Sequence, residues 1–144
     1  MKFDTLNHAL PPGETADASI LVPVRPLDSV LEGQAPTLLK IDVEGFETEV
    51  LNGARDSLEK ESLYAVLIES NGSGRKYGYE EAAIRQRLLD LDFLEASYLR
   101  KTRELMTHGP RSETSGNVLF VRRAPELQDR LKKAPRFSVG PALI

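Results

Sequence analysis

Two compact apolar runs, each followed by a stretch of helical periodicity, constrain this chain more than anything else in it. Thr37-Leu38-Leu39-Lys40-Ile41-Asp42-Val43 shows its polarity only at its end, the pattern of a strand buried on both faces. Glu44-Gly45 breaks the run. From there Phe46, Val50, Leu51, Ala54 and Leu58 recur at helical spacing, with Glu47 and Glu49 in the first turns and Lys60 in the last. This predicts one helix over 46–60. The second run, Leu63-Tyr64-Ala65-Val66-Leu67-Ile68, ends at Glu69 and enters the loop Asn71-Gly72-Ser73-Gly74. Ile84, Leu88 and Leu91 then share one face of a second helix over 79–91.

Phe93–Arg100 and Asn117–Arg123 are β-prone, and the connection between them holds His108-Gly109-Pro110. Strands alternating with helices imply parallel pairing through right-handed crossovers. The last two strands have no helix between them, so they are expected as an antiparallel pair at one edge. The fold class is therefore α/β, three layers around a mixed sheet.

The flanks differ in character. Residues 1–18, with Pro11-Pro12-Gly13, read as an irregular arm, and Ile20-Leu21-Val22-Pro23-Val24 as a short edge strand interrupted by its proline. Leu27–Leu31 reads as one helical turn, closed by Gly33 and Pro36. The expected organisation is an arm over 1–18, an α/β domain over 19–123 and a basic tail over 124–144. Residues 1–72 hold five Lys/Arg against thirteen Asp/Glu, whereas 73–144 hold fourteen against nine. The basic stretch Arg122–Arg136 would attract a phosphate-bearing partner, but without interleaved aromatic residues it reads as a solvated tail, with no nucleic-acid partner expected.

Several function classes fall away on composition. No apolar run approaches the ~20 residues of a membrane span, and Met-Lys-Phe-Asp lacks the apolar stretch of a signal peptide, so a cytoplasmic protein without a membrane partner is expected. The chain has no cysteine, hence no disulfide, thiolate metal site or cysteine nucleophile. His8 and His108 have no ligand-spaced partner, and no metal site is expected.

Ligands of open α/β sheets bind beyond the carboxyl ends of the parallel strands. The first such end here is Asp42-Val43-Glu44-Gly45, the second Glu69-Ser70-Asn71-Gly72. Period-2 geometry turns Asp42 and Glu44 to one side. Such a pair can orient an ammonium group, accept a proton from a hydroxyl or hold a divalent cation. The alternative is that Glu44 and Glu47 cap the helix while Asp42 satisfies loop amides. Gly45 permits a tight strand-to-helix turn under either reading. Asn71–Gly74 lacks the Lys-Ser/Thr ending of a phosphate loop and reads as a substrate-side loop or a plain turn.

Leu38-Leu39-Lys40-Ile41-Asp42-Val43-Glu44-Gly45-Phe46-Glu47, followed by Val50-Leu51-Asn52-Gly53-Ala54, resembles the lKIDvEGxE...vLxGa signature of FkbM-type methyltransferases. Pro26–Leu31 is similar to that family's leucine-aspartate segment, and Ile68-Glu69 and Gly116–Val121 to its later strands, a resemblance covering roughly 20–123. It implies a Rossmann-like class I fold and S-adenosylmethionine-dependent methylation, usually at an oxygen of a small molecule or sugar. On that resemblance Asp42 and Glu44 are the catalytic pair, Asp42 and Gly45 meet the cofactor, and Glu69 and Asn71 lie on the substrate side. The family's glycine-containing first loop and ribose-binding acid have no counterpart in residues 1–19. The chain accordingly reads as the C-terminal half of such a domain, expected to bind the cofactor weakly at most. The alternative is a non-catalytic α/β binding or assembly module. The strand at 38–43 then lacks a neighbour, which either the 20–24 arm or a second copy in a homodimer would cover.

Overall fold

A computed structural model of the chain describes residues 9–10, 13–16, 19–109, 116–139 and 142–143. In order it contains α1 (Leu27–Leu31), β1 (Leu38–Ile41), α2 (Glu47–Asn52), α3 (Arg55–Glu59), β2 (Ala65–Ser70), a 3-10 helix (Ser73–Tyr77), α4 (Glu81–Asp90), β3 (Leu94–Leu99), β4 (Glu104–His108), β5 (Gly116–Val121), α5 (Ala124–Lys133), and the short strands β6 (Ser138–Val139) and β7 (Ala142–Leu143), which pair with each other.

Strands β1 to β5 form one mixed sheet in the order β1-β2-β5-β3-β4. β1 and β2 run parallel, with Leu38 opposite Ala65 and Ile41 opposite Ile68. β5 inserts antiparallel between β2 and β3, pairing Ile68 with Val118 and Leu94 with Val121. The antiparallel pairing of β3 with β5 follows the sequence expectation. Its position does not, because β4, which the sequence left as a loop, forms the edge beyond β3.

Alternation along the strands separates two faces. Ile41, Val66, Ile68, Val118 and Phe120 form the main core with Leu51 and Leu58 of α2 and α3 and Leu88 of α4, and Leu27 of α1 packs at its margin. The other face carries Leu38, Leu67 and Leu119, and with Leu127 and Leu131 of α5 they line an open cavity of about 610 Å³. Helices thus flank the sheet on both sides.

Three expectations need correction. The helix expected over 46–60 is two helices, because α1 docks at the join: the Asp28 amide donates to the Gly53 carbonyl at 2.9 Å, and a Cβ on Gly53 would meet the Pro26 Cα at 3.0 Å. The Asp28 carboxylate then starts α3, accepting the amides of Asp56 at 3.0 Å and Ser57 at 2.9 Å and the Ser57 hydroxyl at 2.5 Å. A cap supplied from twenty-eight residues away leaves no local periodic trace.

The stretch expected as a solvated basic tail contains α5, which is docked. Buried Arg103 donates to the carbonyls of Leu131, Ala134 and Pro135, while Gln128 accepts the Leu105 amide and donates to the Arg103 carbonyl, both at 2.7 Å. Arg123 and Arg130 stack against the Tyr64 ring at 4.3 and 4.8 Å, so these arginines serve the fold. Finally, Ile20–Val24 forms no strand and stands exposed.

Candidate active site

The loop after β1 turns sharply. Glu44 and Gly45 both have left-handed backbones, with φ of 53° and 103°. At Gly45 a side chain is excluded for a second reason: a Cβ would lie 2.6 Å from the Ser73 carbonyl oxygen. Gly45 is therefore the point at which the loops following β1 and β2 touch. Glu47, the first residue of α2 and 4% exposed, holds the turn from inside. Its Oε1 accepts the amides of Val43 at 3.3 Å and Gly45 at 3.1 Å. Glu47 thus satisfies loop amides ahead of α2, a role that the sequence reading had given to Asp42, rather than capping the helix. Glu44 does not share that role and is turned toward Asp42.

This geometry gathers three acids. Carboxylate oxygens of Asp42, Glu44 and Glu69 lie within 4.8 Å of one another, the first from the end of β1, the second from the turn and the third from the end of β2. Asp42 is exposed, and Lys40 two residues back places its Nζ 2.5 Å from Oδ2. That hydrogen bond and the Lys40 charge hold the Asp42 carboxyl below its usual range, against a smaller desolvation effect. Glu69 is half-buried, and its Oε2 is buried without a hydrogen-bond partner. Burial, then the negative charges of Asp42 and Glu44, the hydrogen bond with Asp42 and last the Glu47 charge push its carboxyl upward. A group of acids with one carboxyl raised suits a small cationic guest such as a sulfonium or ammonium group.

The other residues singled out from the sequence are not members of this group of acids. Asn71 is exposed, and its Oδ1 accepts the Ser73 amide at 2.9 Å, the plain turn that its loop also allowed. His108 lies on edge strand β4, its Nε2 2.8 Å from the Ser97 hydroxyl, and His8 falls outside the described residues. Sequence reasoning did not single out the wall beside the turn. There the Phe46 ring meets Tyr77 edge-on at 5.4 Å, and the Tyr79 hydroxyl donates to Glu49. The available signal was a cluster of aromatic residues in the two loops following parallel strands.

Residues 4–95 match the family model described as the Methyltransferase FkbM domain, well over half of the chain. The chain belongs to that family. The match stops at Glu95, within β3, short of the resemblance read from the sequence, so β4, β5 and α5 lie beyond it. No curated protein and no solved structure matches the chain. The FkbM methyltransferase domain identifies the mixed five-stranded sheet as Rossmann-like, and dependence on S-adenosylmethionine is general to that family. Among the described residues, no helix is long and apolar enough to cross a membrane.

The three acids and the unpartnered Glu69 Oε2 fit the positive end of that cofactor. Its nucleoside is a different matter. Among the described residues ahead of β1 there are an extended arm and the one-turn helix α1, with no strand, glycine loop and helix to cradle it.

Proposed function

We propose that this domain transfers a methyl group from S-adenosylmethionine to a hydroxyl of a small molecule or sugar, at the junction of the β1 and β2 loops. The observation that carries the reading is the convergence of Asp42, Glu44 and Glu69 within 4.8 Å at the two carboxyl ends of a parallel pair, in a chain of this family. Bound S-adenosylmethionine would supply an electrophilic methyl group on a positively charged sulfur. Asp42, kept ionised beside Lys40, offers a permanent negative charge to a cationic guest and accepts a hydrogen bond from the acceptor hydroxyl. Glu44, held toward Asp42 by the left-handed turn, completes the catalytic pair. Glu69, whose carboxyl is raised by burial and by the neighbouring negative charges, is suited to take the hydroxyl proton as the methyl carbon leaves the cofactor sulfur, as a neutral thioether, and bonds to the oxygen. Gly45, where the two loops touch, would meet the cofactor, and the exposed Asn71 in the loop after β2 would contact the substrate.

The test is transfer of radiolabelled methyl from S-adenosylmethionine to a panel of sugars and hydroxylated small molecules, together with calorimetry of cofactor binding. The Glu69→Gln variant should lose at least ~100-fold in transfer, within the range typical of a general acid–base group. If wild-type chain neither binds the cofactor nor transfers methyl to any acceptor, the reading fails. A second reading is a binding or assembly module that keeps the fold without the chemistry.

A further inference from the structure

β1 is the outermost strand on its side of the sheet. The Thr37 carbonyl accepts the Tyr64 amide at 2.9 Å, so Thr37 faces β2. Backbone groups alternate in direction along a strand, so those of Leu38 and Lys40 face outward. Among the described residues, no strand pairs with this edge, and Leu38 beside it is 55% exposed. An unpaired row of amides and carbonyls next to apolar surface is a template for another strand.

The same chain carries a candidate strand. Ile20 to Val24 run without helix or strand structure, and the exposures of Ile20 and Val24 are 88% and 80%. Just beyond them, Pro26 and Leu27 pack against Gly53 and fix where the arm leaves the domain, yet it does not cover the edge of its own chain. We infer that two copies of this chain associate by exchanging these arms, each adding residues 20–24 as an outer strand along β1 of the other. Pro23 is compatible with this arrangement. If Ile20, Val22 and Val24 face the ladder, the position lacking an N–H turns to solvent, the placement that an edge strand tolerates.

The area is sufficient. Burying one Val, Leu or Ile side chain removes roughly 60–120 Å² from water. Ile20, Leu21, Val22 and Val24 from two arms, with the surfaces they cover, therefore bury about 1,000–1,900 Å², the range of stable specific interfaces. A two-fold exchange repeats one contact and closes on itself, and Pro23 blunts the outer edge that the added strand presents. The inference does not depend on methyl transfer, and either reading of the function can fail without touching it.

Sedimentation of the purified full chain over ~1–100 µM should give a species of about 32 kDa, twice the 16.0 kDa of one chain. The double variant Ile20→Asp, Val22→Asp should weaken association at least tenfold while keeping the wild-type circular dichroism. Because the chain has no cysteine, Val22→Cys with Leu38→Cys introduces the only two thiols, and a short bis-maleimide should join two chains. A strictly monomeric wild type, a dimer that persists with charged arms, or cross-linking confined to single chains would each overturn the inference.

Discussion

Replacing Glu47 by alanine should loosen the turn after β1 before it disturbs anything else. Its Oε1 is the acceptor that the structure gives to two amides, Val43 at 3.3 Å and Gly45 at 3.1 Å, and the side chain is 4% exposed. A buried donor left unpaired costs about 1–3 kcal/mol. Val43 is only half-buried and can turn to water, so the two together should cost about 2–3 kcal/mol. With an unfolding entropy near 2.1 cal/mol/K per residue, a chain of this length loses roughly 7–10 °C in Tm. Glutamine keeps an acceptor oxygen and forfeits only the charge assistance, about 1 kcal/mol, or roughly 3 °C. Thermal unfolding followed by circular dichroism checks the order wild type, Gln, Ala. Hydrogen exchange at the Val43 and Gly45 amides should accelerate more in Glu47→Ala than in Glu47→Gln. Both variants also remove one of the negative charges that raise the Glu69 carboxyl, so its titration, read by carbon NMR, should shift downward while remaining above the ordinary value. If Glu47→Ala melts within about 2 °C of wild type, or if the accelerated amides lie elsewhere, the account of the turn is wrong.

Two further outcomes follow from the packing around this site. Burial opposes ionisation of Asp28, but the Ser57 hydroxyl, the Asp56 and Ser57 amides and Lys60 together hold its carboxyl below the usual range. Stability from a depressed carboxyl is present above the unfolded value of about 3.9 and is lost as pH falls through the folded one. Asp28→Ala should therefore cost about 1–2 kcal/mol at pH 7 and measurably less near pH 2, and urea denaturation showing the same cost at both would refute it. Arg85→Met should cost about 3–5 kcal/mol, because Glu95 is 3% exposed and pairs with Arg85 at 2.5 Å. A urea midpoint equal to wild type would show that the buried carboxylate is satisfied without this arginine.

The parts of the fold legible in the sequence are those decided by local pattern. β2 was visible because both of its faces are apolar up to Ile68, and α4 because Ile84 and Leu88 recur on one face; β1 was visible as an apolar run, but it is buried on one face alone, with Leu38 and Lys40 exposed on the other. What was illegible depends on partners distant in sequence. The break between α2 and α3 is set by Asp28, and strand β4 by α5, whose Gln128 and Leu127 meet it from across the chain. Leu105 alternates with exposed Glu104 and Met106, a period-2 signal too short to recognise without that neighbour. α5 itself was hidden by its charge. Its basic residues suggested a solvated tail, although Leu127 and Leu131 four positions apart already marked the face that lies over the sheet.

At the candidate site, the sequence pointed to Asp42 and Glu44 through strand alternation and to Glu69 through its place at the end of the next strand, and the structure brings all three together. What alternation could not supply is the means. Glu44 adopts a left-handed backbone that non-glycine residues enter at some cost, Gly45 is pressed against the Ser73 carbonyl, and an acidic side chain is buried at Glu47 to hold the turn. Each of these is locally unfavourable, and all three fall within four consecutive residues. Their combined effect is to bring like charges together, which adds a further unfavourable interaction. A turn selected for stability alone would relieve at least one of them. A turn that had to present negative charge to a cationic guest would retain them all, because binding such a guest would offset the repulsion among the acids.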